Sequence, residues 1–189
     1  MKSICRTSLS SNRYEELYKI DLVNNRKELL AVNILSLALL FVMAALGLMI
    51  LETYRMSAIK SFLLVIMIFL YIPAHELMHG AVMKLFCDEK LRFGWRLAYA
   101  YCGSEEGVFT KGEYITIALA PLVSFGVILS VLQVLTPAIS TVLFLTNIVN
   151  VSGSAGDIYV VWRMIRERKS DILVNDTGTD MRIFGKHLS

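Results

Sequence analysis

The sequence predicts an all-α membrane protein with four transmembrane helices and a short cytoplasmic β-like loop between the second and third helix. Of its 189 residues, 56% are hydrophobic and 19% are charged, and the mean hydropathy is +0.58. Soluble domains are typically about 45–50% apolar and about 25% charged. The apolar residues here are also concentrated in long runs, so the composition excludes a soluble enzyme and an intrinsically disordered chain.

Four apolar runs are long enough to cross a bilayer, which takes about 20 helical residues. The first is too long, and begins too late, for a cleavable signal peptide. Only Thr136 and Pro137 separate the last two, which predicts a tight hairpin. The runs are 29–51, 61–87, 114–135 and 138–162. They divide the chain into a cytoplasmic amphipathic N-terminal segment (1–28), a four-helix transmembrane core (29–162) and a cytoplasmic C-terminal tail (163–189).

The basic residues predict the orientation of these spans. Seventeen of the 19 Lys and Arg residues lie before the first span, in or next to the second loop, or after the last span. Because cytoplasmic loops carry the excess of positive charge, we expect a multi-pass protein of the cell membrane with both termini in the cytoplasm. Cys5, Cys87 and Cys102 then face a reducing compartment and are expected to be free thiols. A net charge of only +3 without a basic patch argues against a nucleic-acid partner.

Three segments outside the spans have local patterns. Residues 13–30 carry apolar side chains at helical spacing, which predicts an interfacial helix or a solvated one. The aromatic, glycine-containing loop 91–109 favours short strands, which either pair with an extended substrate or anchor the loop at the interface. In the tail, the turn-forming sequence 175–178 between two apolar segments predicts a hairpin.

The second span contains polar groups that are costly in a membrane. Residues 75–79 read His-Glu-Leu-Met-His. On a helix, His75 and His79 project from one face and can reach one ion, with Glu76 beside it. Zinc suits such a site because catalytic zinc keeps three protein ligands and an open position. The alternatives are a chance match or polar packing between helices, but ionisable groups inside apolar spans usually mark function.

Asp157 is the candidate third ligand. It is an acidic residue deep in the fourth span, and it lies at about the same depth from the cytoplasmic face as the two histidines. The alternative is an ion pair with Arg163 or a contact with a backbone group. The small residues 152–156 permit close helix packing or a local helix break. Asn150, two turns before Asp157, either contacts substrate or an oxyanion, or forms an interhelical hydrogen bond.

These motifs resemble those of the putative zincin peptidases, small bacterial membrane proteins similar in plan to the site-2 proteases. The resemblance covers most of 60–185, including the His-Glu motif, Ala120-Pro121 and the segment from Asn150 to Asp157. It implies His75, His79 and Asp157 as zinc ligands and Glu76 as general base. The chain departs from the site-2 proteases at residues 153–158. Unlike those proteases, it has no proline in this segment and no glycine after Asp157.

The sequence therefore predicts a zinc-dependent intramembrane metalloprotease that hydrolyses peptide bonds of membrane-embedded or membrane-adjacent substrates near the cytoplasmic face. The expected partners are the lipid bilayer and a membrane-protein or peptide substrate. One alternative is a non-proteolytic zinc-binding membrane protein, such as a sensor or assembly factor. Another is a metal hydrolase acting on a lipid or a prenylated peptide. Glu76 favours an enzyme, because a pure binding site needs no base beside its histidines.

Overall fold

A computed structural model describes residues 4–5, 14–22, 24–50, 56–96, 99–168 and 171–186. Most of them are helical. The helices are α1 (Arg26–Ile50), α2 (Ala58–Phe86), α3 (Lys111–Leu135), a 3-10 turn (Pro137–Ile139), α4 (Ser140–Gly153) and α5 (Ala155–Arg166). The strands are β1 (Ile4–Cys5), β2 (Tyr14–Ile20), β3 (Arg92–Arg96), β4 (Tyr99–Gly103), β5 (Gly107–Thr110), β6 (Ile172–Asp176) and β7 (Met181–Lys186).

Three helices, α1, α2 and α3, are long and apolar enough to cross a membrane, and α4 with α5 makes a fourth candidate if the bent pair is one span. Their outward faces carry large apolar side chains; Leu48, Phe62 and Val134, for example, are each more than two thirds exposed. Soluble monomers rarely expose contiguous apolar surface on this scale. The helices thus have the exterior that a multi-pass membrane protein needs.

The caps on α2 and α3 show how polar residues set the helix limits. Ser57 accepts a hydrogen bond from the backbone N–H of Lys60 at the start of α2. At the start of α3, Thr110 and Glu113 form a capping box, in which each side chain accepts from the other residue's backbone N–H. These contacts satisfy donors that have no partner within the helix.

The fourth span is broken between α4 and α5, which meet at a bend of 41°. Ser154 stands at the break, and both its backbone N–H and its hydroxyl donate to the Asn150 carbonyl. Gly153 and Gly156 flank it. The local break predicted at 152–156 is confirmed, and it gives α5 its own direction.

A small antiparallel sheet covers one end of the helices. Its strand order is β1-β5-β6-β7-β2, while β3 and β4 form a separate hairpin. The strands predicted in 91–109 and the tail hairpin are confirmed. The fold is therefore mostly helical rather than all-α, because segments from both ends of the chain add strands to β5.

The predicted N-terminal helix is wrong, because Tyr14–Ile20 is strand β2, paired with β7. A β-bulge explains the misleading spacing. Glu16 pairs with Phe184 and Tyr18 with Ile183, so Leu17 is an extra residue on this strand. The insertion interrupts the two-residue alternation of a strand, and the apolar side chains then recur at intervals that resemble those of a helix.

The main core lies where the sheet meets the helix ends. Buried Ile20, Phe109, Val174 and Ile183 from the strands pack in one cluster with residues of the helices, among them Met83, Ile117 and Met164. The α4 helix packs against α1, α2 and α3. This packing holds the middle of α2 beside the start of α5, where the polar residues of both helices meet.

Candidate metal centre

Two helices bring the three predicted ligands together. His75 and His79 lie one turn apart on α2, and their Nε2 atoms are 3.2 Å apart. Asp157, in the first turn of α5, places Oδ2 3.3 Å from His75 Nε2 and Oδ1 3.5 Å from His79 Nε2. The three groups could hold one metal ion. The alternative partner of Asp157, Arg163, instead has Nη1 3.5 Å from Glu28 Oε1.

The donor set fits zinc. Ligand atoms about 2.0–2.1 Å from a tetrahedral ion lie about 3.3 Å from one another. The separations of 3.2, 3.3 and 3.5 Å among His75, His79 and Asp157 are close to that value. The other ring nitrogen of His79, Nδ1, is 3.0 Å from the Ile117 carbonyl, which can only accept. His79 therefore carries its proton on Nδ1 and turns the lone pair of Nε2 towards Asp157.

Glu76 lies beside the predicted ligands but outside their cluster. It follows His75 on α2, is half-buried, and does not belong to the three-residue ligand cluster. It lines the same cavity as His75, His79 and Asp157. A carboxylate beside a metal site, but outside its ligand set, can accept a proton from water held there.

Comparison with known families identifies the family of the chain. Residues 68–172, more than half of the chain, match the family model described as "Putative zincin peptidase". The chain belongs to this family. The suspected resemblance is thereby confirmed, and the family supports a metallopeptidase that uses zinc. No curated protein and no solved structure matched the chain.

The zincin site opens into a cavity of about 620 Å³ between the helices and the sheet. The predicted ligands and Glu76 line it together with Ile20 of β2 and residues of the β6–β7 turn, including Asp176 and Asp180. Ala100, Tyr101 and Cys102 of β4 form part of the wall. The hairpin and the tail, which the sequence places far from the metal motif, thus complete the site.

The charged side chains that line the cavity are acidic. Glu76, Asp157, Asp176 and Asp180 line it, and no Lys or Arg is found among the described lining residues. Asp176 is buried, and its carboxylate accepts hydrogen bonds from the Tyr114 hydroxyl and the Gly178 N–H. Burial nevertheless raises the pKa of the Asp176 carboxyl above its usual range.

Cys102 lies in the cavity wall but does not act as a ligand in this arrangement. Burial, together with the negative charges of Glu76 and Asp176, raises the pKa of its thiol to about 12. At neutral pH it therefore stays a protonated thiol, which is a poor nucleophile. Cys102 and Cys87 are free, as predicted, whereas the side chain of Cys5 lies outside the described residues.

Asn150 does not line the cavity; it is fully buried behind the ligands. Its amide nitrogen donates to Leu122 O and Asn147 Oδ1, and its oxygen accepts from the Tyr71 hydroxyl. This is the interhelical hydrogen bonding that the sequence left open as the alternative to substrate contact. Tyr71 is not among the site residues that the sequence predicts, although its position four residues before His75 places it on the same helix face.

Proposed function

We propose that this chain is a zinc-dependent intramembrane metallopeptidase that hydrolyses peptide bonds of membrane-embedded or membrane-adjacent substrates near the cytoplasmic face. One observation carries the proposal: His75, His79, Asp157 and Glu76 meet at the wall of one cavity inside helices with apolar outer faces. Family membership supports the metallopeptidase chemistry. The apolar helices around the site support a location in a membrane. The distribution of Lys and Arg along the sequence supports cytoplasmic termini.

The chemistry divides between the ion and the chain. His75, His79 and Asp157 would hold the zinc ion, which when bound would supply Lewis acidity towards a peptide carbonyl and a water molecule. Glu76 accepts a proton from the water whose oxygen forms the new bond to the carbonyl carbon. As the C–N bond breaks, Glu76 returns the proton to the leaving nitrogen.

The cavity supports access for water from the sheet side. Its lining includes polar groups of the β6–β7 turn, Asp176, Thr179 and Asp180, as well as apolar residues of the helices such as Met83 and Ile117. Water reaching the ligands from the sheet would not need to cross the apolar outer faces of the helices. Hydrolysis therefore takes place near the cytoplasmic end of the bundle, where the positive charges of the sequence place the sheet.

The hairpin is the proposed guide for an extended substrate. Strand β4 lines the cavity and pairs with β3 on one edge, and no strand among the described residues pairs with its other edge. A peptide added there would satisfy its own backbone groups while it lies beside Glu76. The outer strand β3 exposes Phe93 and Trp95, which suits the interfacial anchor that the sequence also predicts.

The test is zinc-dependent cleavage by the purified full chain in lipid nanodiscs. The probes are labelled synthetic single-span peptides of about 20 apolar residues with helix-weakening Gly or Asn placed near the cytoplasmic end. We expect cleavage by the zinc-loaded protein, loss after chelation and recovery on adding zinc. Mass spectrometry of the nanodisc lipids runs in parallel, so that lipid hydrolysis without peptide cleavage would replace the peptidase by a lipid hydrolase.

A different result would support the non-enzymatic alternative. If the protein binds one zinc ion but cuts neither peptide nor lipid, it is a zinc-binding membrane protein and the proposed function is wrong. If cleavage continues after all zinc has been removed, a contaminating protease or another mechanism is responsible. Either outcome overturns the proposal.

A further inference from the structure

Tyr71 and Asn150 lie directly behind the ligands and connect the two spans that carry them. The Tyr71 hydroxyl is 2.7 Å from His75 Nδ1 and donates a 2.8 Å hydrogen bond to Asn150 Oδ1. We infer that Tyr71 and Asn150 form a positioning relay that keeps the proton of His75 on Nδ1 and so presents Nε2 to zinc. The inference rests on the proposed zinc site, but not on which bond the enzyme cleaves.

The direction of each hydrogen bond follows from Asn150. Its Nδ2 faces two acceptors, Leu122 O and Asn147 Oδ1, which use both amide protons. Its Oδ1 therefore faces Tyr71 and can only accept, so the hydroxyl proton of Tyr71 is committed to Asn150. That hydroxyl also contacts the side chain of Ser154. With its own proton committed to Asn150, it can only accept from His75 Nδ1, so the imidazole must donate. His75 then has its lone pair on Nε2, on the side of Asp157 and His79.

The two histidines differ in how their protonation is controlled. The partner of His79 Nδ1 is the Ile117 carbonyl, which can only accept, so the backbone alone determines that tautomer. The partner of His75 is a hydroxyl, which can donate or accept. Without an acceptor on its other side, Tyr71 could donate to Nδ1 and move the proton of His75 to Nε2. Asn150 supplies that acceptor, which gives it a role distinct from packing.

Asn150 also connects the relay to the third ligand. Its backbone carbonyl accepts from the N–H and hydroxyl of Ser154 at the break before α5, the helix that carries Asp157. The same residue thus contacts Tyr71 on α2 and the turn that directs α5. It is fully buried, and Tyr71 is only 8% exposed, so water does not substitute for these bonds. The relay aligns the helix that carries two ligands with the helix that carries the third.

Removing a hydrogen-bond partner of a metal-binding histidine typically weakens metal binding about 10- to 100-fold. Tyr71→Phe removes the hydroxyl and keeps the ring, which packs edge-on against Phe125 at 5.4 Å between centroids. Asn150→Leu removes the acceptor oxygen and the two amide protons and keeps the branched shape of the side chain. Thr146→Val is the matched control: it deletes another buried hydroxyl of α4, whose one hydrogen bond among the described residues is to Val142 O of its own helix.

The experiment measures zinc affinity and histidine tautomers in the full chain in nanodiscs. Zinc affinity is determined by competition with a chelator of known affinity. The protein labelled with 15N-histidine is then stripped of zinc, and NMR shifts distinguish a ring protonated on Nδ1 from one protonated on Nε2. The chain contains three histidines, and His75→Ala and His79→Ala assign their signals.

We expect Tyr71→Phe and Asn150→Leu to weaken zinc binding about 10- to 100-fold, with Thr146→Val unchanged. In zinc-free Asn150→Leu, His75 should move to the Nε2-protonated form while His79 stays protonated on Nδ1. If Tyr71→Phe binds zinc like the wild type, the relay is wrong, and this conservative variant decides even if Asn150→Leu fails to fold. An unchanged His75 tautomer in folded Asn150→Leu also overturns it. Neither readout depends on peptide cleavage, so failure of the proposed enzyme activity would be seen separately.

Discussion

Asp157 of α5 places one carboxylate oxygen 3.3 Å from His75 Nε2 of α2, although two intervening helices separate these residues in the chain. The contact depends on the break at Ser154, which gives α5 its own direction. It also depends on α2 and α5 running through the same part of the bundle at one depth. The pair therefore links the sequence motif to the tertiary fold.

The first prediction concerns zinc content. His75→Ala, His79→Ala and Asp157→Asn should each lose most of the bound zinc, because two remaining protein ligands hold the ion poorly. Elemental analysis of purified protein measures the zinc per chain. His187→Ala removes the histidine outside the motif and should retain one zinc per chain. Full zinc content in either variant of the motif histidines would contradict the ligand assignment.

The convergence of these ligands could be predicted from the sequence because it follows from helix geometry. His75 and His79 share a helix face by spacing alone, and equal depth brings Asp157 to their level. Tyr71 lies on that face too, but tyrosine has no charge that makes its place inside a span unusual. Its role emerges only from the partner it meets, Asn150 on another helix.

The sheet could be predicted only in part, because its strands come from distant segments. The tail hairpin has a local turn signal at 175–178, and the aromatic loop has a local composition. Strand β2 has neither. Its bulge at Leu17 disguises its alternation, and its pairing with β7 joins opposite ends of the chain. Such pairing depends on tertiary contacts, which local patterns do not encode.

The second prediction concerns topology. Reporter fusions after residues 55, 105 and 189 should read outside, inside and inside, because Lys and Arg are concentrated before the first span, in the second loop and in the tail. Alkaline phosphatase activity and green fluorescent protein fluorescence, compared for fusions at each position, measure on which side of the membrane that position lies. An outside signal at 105 would place the sheet and the cavity mouth on the opposite face, and would overturn the cytoplasmic location of the site.

The third prediction concerns the contact between β4 and the tail. A Cβ atom at Gly103 would overlap the backbone of Thr177 and Gly178, so Gly103→Ala must push the β6–β7 turn away from the hairpin. Overpacking of this kind typically costs about 1–3 kcal/mol, which thermal unfolding in detergent would detect. Gly112→Ala is the matched control, because a Cβ there meets no atom within 4 Å. Equal stability of the two variants would show that the contact is not tight.

The fourth prediction concerns the pH dependence of the link between β2 and the tail. Burial opposes ionisation of Asp180, but hydrogen bonds from Thr177 and Lys19 outweigh it and hold the pKa of the carboxyl below its usual value. The carboxylate therefore stabilises the fold at pH values above about 4, and this contribution is lost as the pH falls through the lower folded-state pKa.

The melting temperature of the wild type should exceed that of Asp180→Asn by a small margin at pH 7. The margin is small because the Lys19 side chain, 2.9 Å from Asp180, is 41% exposed to solvent. This difference in melting temperature should shrink by pH 3. At pH 7, the same difference should be smaller when it is measured in a Lys19→Met background. A difference that is the same at both pH values would show that the ionised carboxylate adds nothing.

The last prediction separates the role of Glu76 from that of the ligands. Glu76→Gln keeps the size and hydrogen-bonding shape of the side chain but removes its ability to accept a proton, so zinc content should stay at the wild-type level. Turnover of a cleavable peptide should fall by about 100- to 10,000-fold, which is the usual contribution of a general base. Glu89→Gln makes the same chemical change outside the cavity and should leave both quantities unchanged.

A ligand variant such as His75→Ala loses zinc and turnover together, whereas Glu76→Gln should lose turnover alone. If Glu76→Gln retains zinc and also cleaves at the wild-type rate, Glu76 is not the base; if it loses its zinc, Glu76 supports the metal instead.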